Sequence, residues 1–400
     1  MRTLAVVAAV LVLWCAIVFW SAVAFSQPPG SAGDKPPLLI GGSVAQTGLL
    51  ADLAREYIKG LELWQEDVNA RGGVQGRRVE LRLFDDASGA RRAADITEVL
   101  IAEDKVELLF GPFGSPATLE AAVVAERARR IMLNATATAA NIHKKALRYV
   151  FQLPPPHVEQ ALPVLKLAAM LGARKITLFA GRGAGGVLGR LRDEAKLAGI
   201  AVIESSGLPA PVVKPPNYPP LLAKIDPGSV LLVFDEVPRL ADLLREMKLA
   251  GFRPAAFVAP DVVHPDFIKR VGMDAEYSFG LSAYEPRART RGNAEFVRSF
   301  QAKHKQPPDA HAASGWAAGQ LLEAAAARAA STETEPLRDA LAKLETETVL
   351  GAYKVDDKGA QLAASTMLVQ ILKGRREVIW PEPYRSADPV LSPPAWPKRR

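Results

Sequence analysis

The feature that most constrains this chain is a regular exchange between short apolar runs and longer runs of helical periodicity. Leu38–Gly42 has the length and apolarity of a buried strand. After it, Leu50, Leu53, Tyr57, Leu61, Trp64 and Val68 recur at helical spacing until Gly72-Gly73 stops the run. In Arg78–Phe84, Val79, Leu81 and Leu83 alternate with polar residues, as a strand requires. A helix to about Glu103, a strand Val106–Phe110, a helix from Ser115 and a strand Ile131–Leu133 follow. The pattern restarts after Tyr149–Leu153. Its second set is strand Ile176–Phe179, a helix to Ala198, strands Ile200–Glu204 and Val230–Phe234, helix Pro238–Ala250 and strand Ala255–Val258. Ala-rich helices over Asn293–His304, Ala310–Ala330 and Glu335–Leu344 precede strand-like Met367–Leu372 and Val378–Trp380. Strands alternating with helices imply parallel sheets with right-handed crossovers. The expected fold class is α/β, in two halves of similar make-up.

Composition narrows the class further. A chain of 400 residues accommodates two ordinary domains with extras. Its single cysteine, Cys15, excludes a disulfide scaffold and a cysteine-built metal site. With 49% hydrophobic and 23% charged residues, the chain is neither wholly disordered nor a polytopic membrane protein. One long apolar run exists, from Leu4 to Phe25 behind Arg2, with small residues at Ala22, Ala24 and Ser26. Residues 1–26 therefore read as an export signal cleaved near Ala24 or Ser26, or as an uncleaved membrane anchor. Residues 27–37, rich in Pro, Gly and Ser, read as a linker. Residues 382–400 form a Pro-rich basic tail, expected to be loose. The net charge of +7 does not indicate nucleic acid, because basic residues are dispersed. The densest groups are Arg287, Arg289 and Arg291, and the tail Lys398, Arg399 and Arg400.

One motif invites an enzyme. Gly181, Gly183 and Gly186 satisfy G-x-G-x-x-G between an expected strand and an expected helix, and Glu204 lies where a ribose-binding acid would stand. Such glycines let the backbone approach a pyrophosphate at a helix N-terminus. A tight strand-to-helix turn is glycine-rich for the same geometric reason without any dinucleotide. An NAD(P)-dependent oxidoreductase is thus the alternative from a different class. Against it, the motif sits mid-chain, and no partner for hydride chemistry stands out. His143, His157, His264, His304 and His311 form no zinc helix, and no G-x-S-x-G turn occurs. No catalytic set, metal or cofactor is expected.

Ile40-Gly41-Gly42-Ser43, Thr47-Gly48, Gly60, Asp67-Val68-Asn69-Ala70-Arg71-Gly72-Gly73-Val74-Gln75-Gly76, Phe84-Asp85-Asp86 and Gly111-Pro112 appear in that order. With Gly351 and the ending Val378-Ile379-Trp380-Pro381, they resemble the periplasmic solute-binding proteins of branched-chain amino acid ABC transporters, the leucine/isoleucine/valine-binding type. The Asn-Ala-x-Gly-Gly-Val-x-Gly element is the most specific part, and it marks the family rather than the ligand. The resemblance implies a type I periplasmic binding protein: two Rossmann-like lobes joined by three hinge strands, with ligand in the interlobe cleft. It places 38–153 plus 283–350 in one lobe and 154–282 plus 351–381 in the other. It also implies a monomer in the periplasm that takes an amino acid or analogue to an inner-membrane permease. A membrane-tethered ligand sensor of the same fold is the alternative.

The resemblance also implies ligand contacts. Ser115, ahead of Pro116, stands where relatives place a carboxylate-binding serine at a helix N-terminus; the plain alternative is helix capping alone. Thr136-Ala137-Thr138 matches the turn that binds carboxylate and amine, although both threonines also suit a simple turn. Asp261 stands where relatives carry an acid against the ligand ammonium, or it is a solvated loop aspartate. Aromatic walls of the side-chain pocket are replaced by Leu53, the Gly185-Gly186 pair and Glu236. With Asp235 and Glu236 beside Asp261, this departure suggests a bulkier, more polar or cationic ligand.

Overall fold

The computed structural model describes residues 35–144, 147–180, 184–205, 218–394 and 396. The expected export segment, Gly181–Gly183 of the glycine motif and residues 397–400 of the tail lie outside the described residues.

The first lobe is built on five parallel strands: β1 (Leu38–Val44), β2 (Val79–Asp85), β3 (Leu108–Phe110), β4 (Ile131–Asn134) and β5 (Val150–Gln152), in spatial order β2-β1-β3-β4-β5. Helices α1 (Ala51–Ala70), α2 (Ala90–Ala102) and α3 (Ser115–Arg127) are the crossovers. The second lobe repeats that plan. Its parallel strands β6 (Lys175–Ala180), β7 (Ala201–Ser205), β8 (Val230–Phe234), β9 (Ala256–Val258) and β10 (Phe279–Ser282) lie in the order β7-β6-β8-β9-β10. Helices α4 (Pro163–Leu171), α5 (Val187–Leu197), α6 (Pro219–Leu222), α7 (Val237–Leu249) and α8 (Pro265–Val271) accompany them.

The chain then returns to the first lobe as α9 (Asn293–His304), α10 (Ala310–Ala329), α11 (Thr334–Ala342) and a hairpin of β11 (Thr346–Thr348) with β12 (Gly351–Tyr353). It ends in the second lobe, where β13 (Met367–Leu372) and β14 (Arg375–Trp380) extend the sheet antiparallel beside β10.

Each lobe has its own apolar interior. Tyr57, Trp64, Phe110, Phe151, Phe296 and Phe300 fill the first. α10 lies directly on α1 because a side chain at Gly60 would meet the Ala312 carbonyl, and one at Gly319 the Trp64 indole. In the second lobe, β8 is apolar at every position because both its faces are covered. Val230 and Leu232 face one cluster, with Leu178 and Ile379; Leu231 and Val233 face another, with Phe257 and Phe267.

Three stretches connect the lobes: Leu153–Pro156 after β5, the segment after β10, and the segment between β12 and β13. Buried amides organise them. Gln361 Nε2 donates to the Leu153 carbonyl at 2.8 Å while its Oε1 collects the N–H groups of Lys354, Leu362, Ala363 and Ala364. Asn293 Nδ2 donates to the carbonyls of Glu285, Pro286 and Ala288.

Two expectations are corrected. The changeover expected at residue 350 comes later: β12 pairs with β11, and Tyr353 and Val355 are buried in the first core. The tail beyond Pro381 is docked as far as it is described. Tyr384 lies against Gly351, Gln370 exchanges hydrogen bonds with the backbone of Val390, and Trp396 Nε1 donates to the Phe252 carbonyl at 3.0 Å. Arg253 stacks over the Trp396 ring, 4.0 Å from its centre.

Candidate functional site

In a doubly wound sheet, ligands gather outside the C-terminal ends of the strands where the order reverses, since loops there diverge to opposite faces. Those points are β1/β3 in the first lobe and β6/β8 in the second. Leu53, Ser115, Thr136, Ala137, Thr138, Gly185, Glu236 and Asp261 each lie on a loop or helix start at that edge of one sheet or the other.

The first-lobe loops are wired together. Between β1 and α1, Thr47 donates from its N–H and hydroxyl to the two carboxylate oxygens of Asp85, at 3.0 and 2.7 Å. That hydroxyl, with the Ala87 N–H, holds the Asp85 carboxyl below the usual carboxylate range. Ser88 Oγ donates to the Thr47 carbonyl and accepts from the Leu50 N–H. The fixed loop leaves Leu49 93% exposed and Leu53 half-exposed at the start of α1.

Between β3 and α3, Tyr57 donates its hydroxyl to the Gly111 carbonyl, and Gly114 takes a positive φ of 91°. Gly114 is the N-cap, so Ser115 is already helical and does not cap its own helix as the sequence suggested. Its hydroxyl oxygen instead accepts the N–H groups of Thr138 and Ala139, both at 3.3 Å. Thr136 Oγ1 accepts from the Gly114 N–H and donates to the Pro112 carbonyl at 2.9 Å. Asn134, fully buried at the end of β4, grips both the N–H and the carbonyl of Ala137. Ser115, Thr136, Ala137 and Thr138 are thereby brought into one network joining two strand ends. Ala137 sits inside it with its side chain buried and its amide already engaged. The Thr138 carbonyl accepts from the His157 N–H at 2.9 Å, at the first interlobe crossing.

The second lobe presents charge. After β8, Asp235 Oδ1 accepts the Glu236 N–H, and Asp235 pairs with Arg239 at 3.1 Å. Glu236 is the exposed, extended N-cap of α7. After β9, Asp261 lies in the 3₁₀ turn Pro260–Val263, and its carbonyl accepts the His264 N–H. Partial desolvation raises the Asp261 carboxyl; the nearby Glu236 charge adds to this, and His264 opposes it. The structure thus places Asp261 and Glu236 within electrostatic reach of one another. Gly185 is exposed ahead of α5, with no atom within 4 Å of where a Cβ would stand.

Sequence reasoning missed Asn134 and Tyr57 as organisers of the first-lobe network. The only visible signal for Asn134 was one polar residue closing the apolar run Ile131–Leu133. Among the described residues, no group of three His, Cys, Asp or Glu side chains is placed to hold a metal ion, and no helix is long and apolar enough to cross a membrane.

Comparison with known proteins adds a second line. The profile of the periplasmic binding protein family matches residues 37–376. A Brucella abortus protein named Leu/Ile/Val-binding protein homolog 8 is 26% identical over 364 residues, covering 84% of this chain and 88% of its own. The structure of a putative branched-chain amino acid ABC transporter from Rhodospirillum rubrum superposes with a TM-score of 0.75 at 21% identity, over 86% of this chain and 100% of that one. An ABC transporter substrate-binding protein from Desulfitobacterium hafniense, in complex with Leu, superposes with a TM-score of 0.66 at 22% identity, over 86% and 100%.

Proposed function

The chain belongs to the periplasmic binding protein family, and from that premise we propose that it is the substrate-binding component of an ABC transporter, taking an amino acid or close analogue between its lobes and delivering it to a permease. Its place of action is the periplasm. One observation carries the reading: at the corresponding strand ends of two sheets with the same order, the first lobe gathers the hydroxyls of Ser115 and Thr136 at the start of α3, and the second carries the carboxylates of Glu236 and Asp261. An amino acid needs that division. The first-lobe turn around Ser115, Thr136 and Thr138 suits its carboxylate, helped by the N-terminus of α3. Asp261, with Glu236 nearby, suits its ammonium, which is costly to bury unpaired.

Delivery follows from a population shift. Ligand touching both lobes stabilises the closed form, which a permease distinguishes from the open one. Driving the lobes from 1:99 to 99:1 closed takes about 5.5 kcal/mol of differential binding. Hydrogen bonds to charged groups, at roughly 1.5–3 kcal/mol each, are of the right size to supply it. Half-exposed Leu53 and open Gly185 leave room where relatives carry aromatic walls, so the ligand is expected to be bulkier or more polar than leucine. Calorimetric titration with leucine, threonine, lysine, arginine and phenylalanine, and with nicotinamide dinucleotides, tests the reading. Binding of an amino acid supports it; binding of a dinucleotide alone overturns it.

A further inference from the structure

Arg376, on β14, reaches two places at once. Its Nη1 donates to the Val263 carbonyl at 2.6 Å, at the end of the turn that carries Asp261. Its Nε lies 3.2 Å from Glu285 Oε2, on the crossing segment that leaves β10 for the first lobe. Glu285 is 2% exposed and Arg376 about one third exposed, so the pair is sheltered on its hinge side. Gly280 of β10 closes the remaining gap, since a methyl group there would stand 2.6 Å from Val263 Cγ1. The neighbouring Glu377 repeats the pattern outward, pairing with Arg287 of the same crossing at 2.9 Å and accepting from the hydroxyl of Ser386 in the docked tail.

We propose that Arg376 is a positioning residue that ties the Asp261 turn to the second interlobe crossing, so that the turn's location depends on the hinge. The inference rests on the reading of Asp261 as a ligand contact, but the tie itself is testable without ligand. The turn Pro260–Val263 is short, and Arg376 holds its last carbonyl with a charge-assisted bond that a neutral side chain cannot replace. Motion of the crossing carries Glu285, and Glu285 carries the guanidinium. Lysine has a single nitrogen in place of the fork and cannot hold both partners in the same geometry.

Hydrogen-exchange mass spectrometry on the full chain, without ligand, is the test. In Arg376→Met the peptide spanning 259–266 exchanges about tenfold faster than in the parent, the factor expected for one lost charge-assisted hydrogen bond, while β8 is unchanged. Glu285→Gln with Arg376→Met leaves no unpaired buried charge, guarding against simple loss of the fold, and shows the same local effect. Arg376→Lys falls between. Parent-like exchange of 259–266 in the double variant overturns the proposal. Titration of the parent and of Asp261→Ala with L-leucine and L-lysine is read separately. Failure there removes the ligand role of Asp261 and leaves the exchange result to decide the tie.

Discussion

The two lobes share a strand order and differ in how the C-terminal edges of their sheets are held. In the first, Asp85 ties the loop after β1 to the end of β2, Ser115, Thr136 and Asn134 hold the loops after β3 and β4 together, and Tyr57 anchors Gly111 to α1. In the second, Glu236 and Asp261 stand on separate turns, and partial desolvation, with a smaller addition from the Glu236 charge, raises the Asp261 carboxyl. A prearranged network costs little to use at binding, whereas a raised carboxyl gains most when a cation arrives. The contrast suggests a division of labour: the first lobe receives ligand in a fixed cradle, and the second completes it on closure.

The largest expected effect tests the second lobe. Asp261→Ala should weaken binding of an amine-bearing ligand by about 3–5 kcal/mol, the cost of removing one partner of a buried pair, with the melting temperature nearly unchanged. Equal affinity in variant and parent, measured by titration, breaks the comparison. The same carboxyl gives a pH sign: because its protonation lies above the usual carboxylate range, affinity should start to fall at a higher pH than for an ordinary aspartate as the medium is acidified.

A middle-sized effect concerns the hinge. Burial, reinforced by Glu377 and opposed by Arg376 and the Ser282 hydroxyl, raises the Glu285 carboxyl to about 6. The folded protein therefore holds this proton more tightly than the unfolded chain. Its contribution to stability is present at pH 4 and declines as pH rises through about 6, by roughly 2 kcal/mol in all. Glu285→Gln should remove that slope from denaturation curves taken at pH 4 and pH 7.5. An unchanged slope denies Glu285 the role.

Much of this was legible in sequence, and the failures have physical causes. Val230–Phe234 and Met367–Leu372 were bounded correctly because they are nearly unbroken apolar runs, and Asn293–His304 because Gly292 precedes it and Phe296 and Phe300 recur at helical spacing. Helix α4 escaped because Pro163–Leu171 is only nine residues long and apolar at every position but Lys166, so the sequence does not mark off the face formed by Val164, Leu167 and Ala168 that is buried. The β11–β12 hairpin escaped because its strands are three residues each, so pairing rather than pattern defines them. At the site, the types and places of Ser115, Thr136 and Asp261 could be read from sequence, but not what they bond. That Ser115 serves the 138–139 turn depends on Gly114 taking the cap and on β3 lying beside β4.

The smaller effects sharpen the contrast between an edge whose loops bond to one another and an edge whose acids stand on separate turns. Ser115→Ala frees two N–H groups in the first-lobe turn and should cost about 1 kcal/mol of binding and less of stability. Comparable losses in both would make it a packing residue. Trp396→Ala removes the stacked Arg253 and the bond to Phe252, far along the chain from either edge. It should cost about 1 kcal/mol of stability and leave affinity alone; a change in affinity would mean that the docked tail takes part in closure.

The most direct test of the central claim is native mass spectrometry of the protein as purified with whatever it carries. The account predicts one small molecule per chain whose fragmentation reveals both an amine and a carboxylate, and its loss in Asp261→Ala. A dinucleotide mass, or an adduct retained equally by that variant, would contradict it.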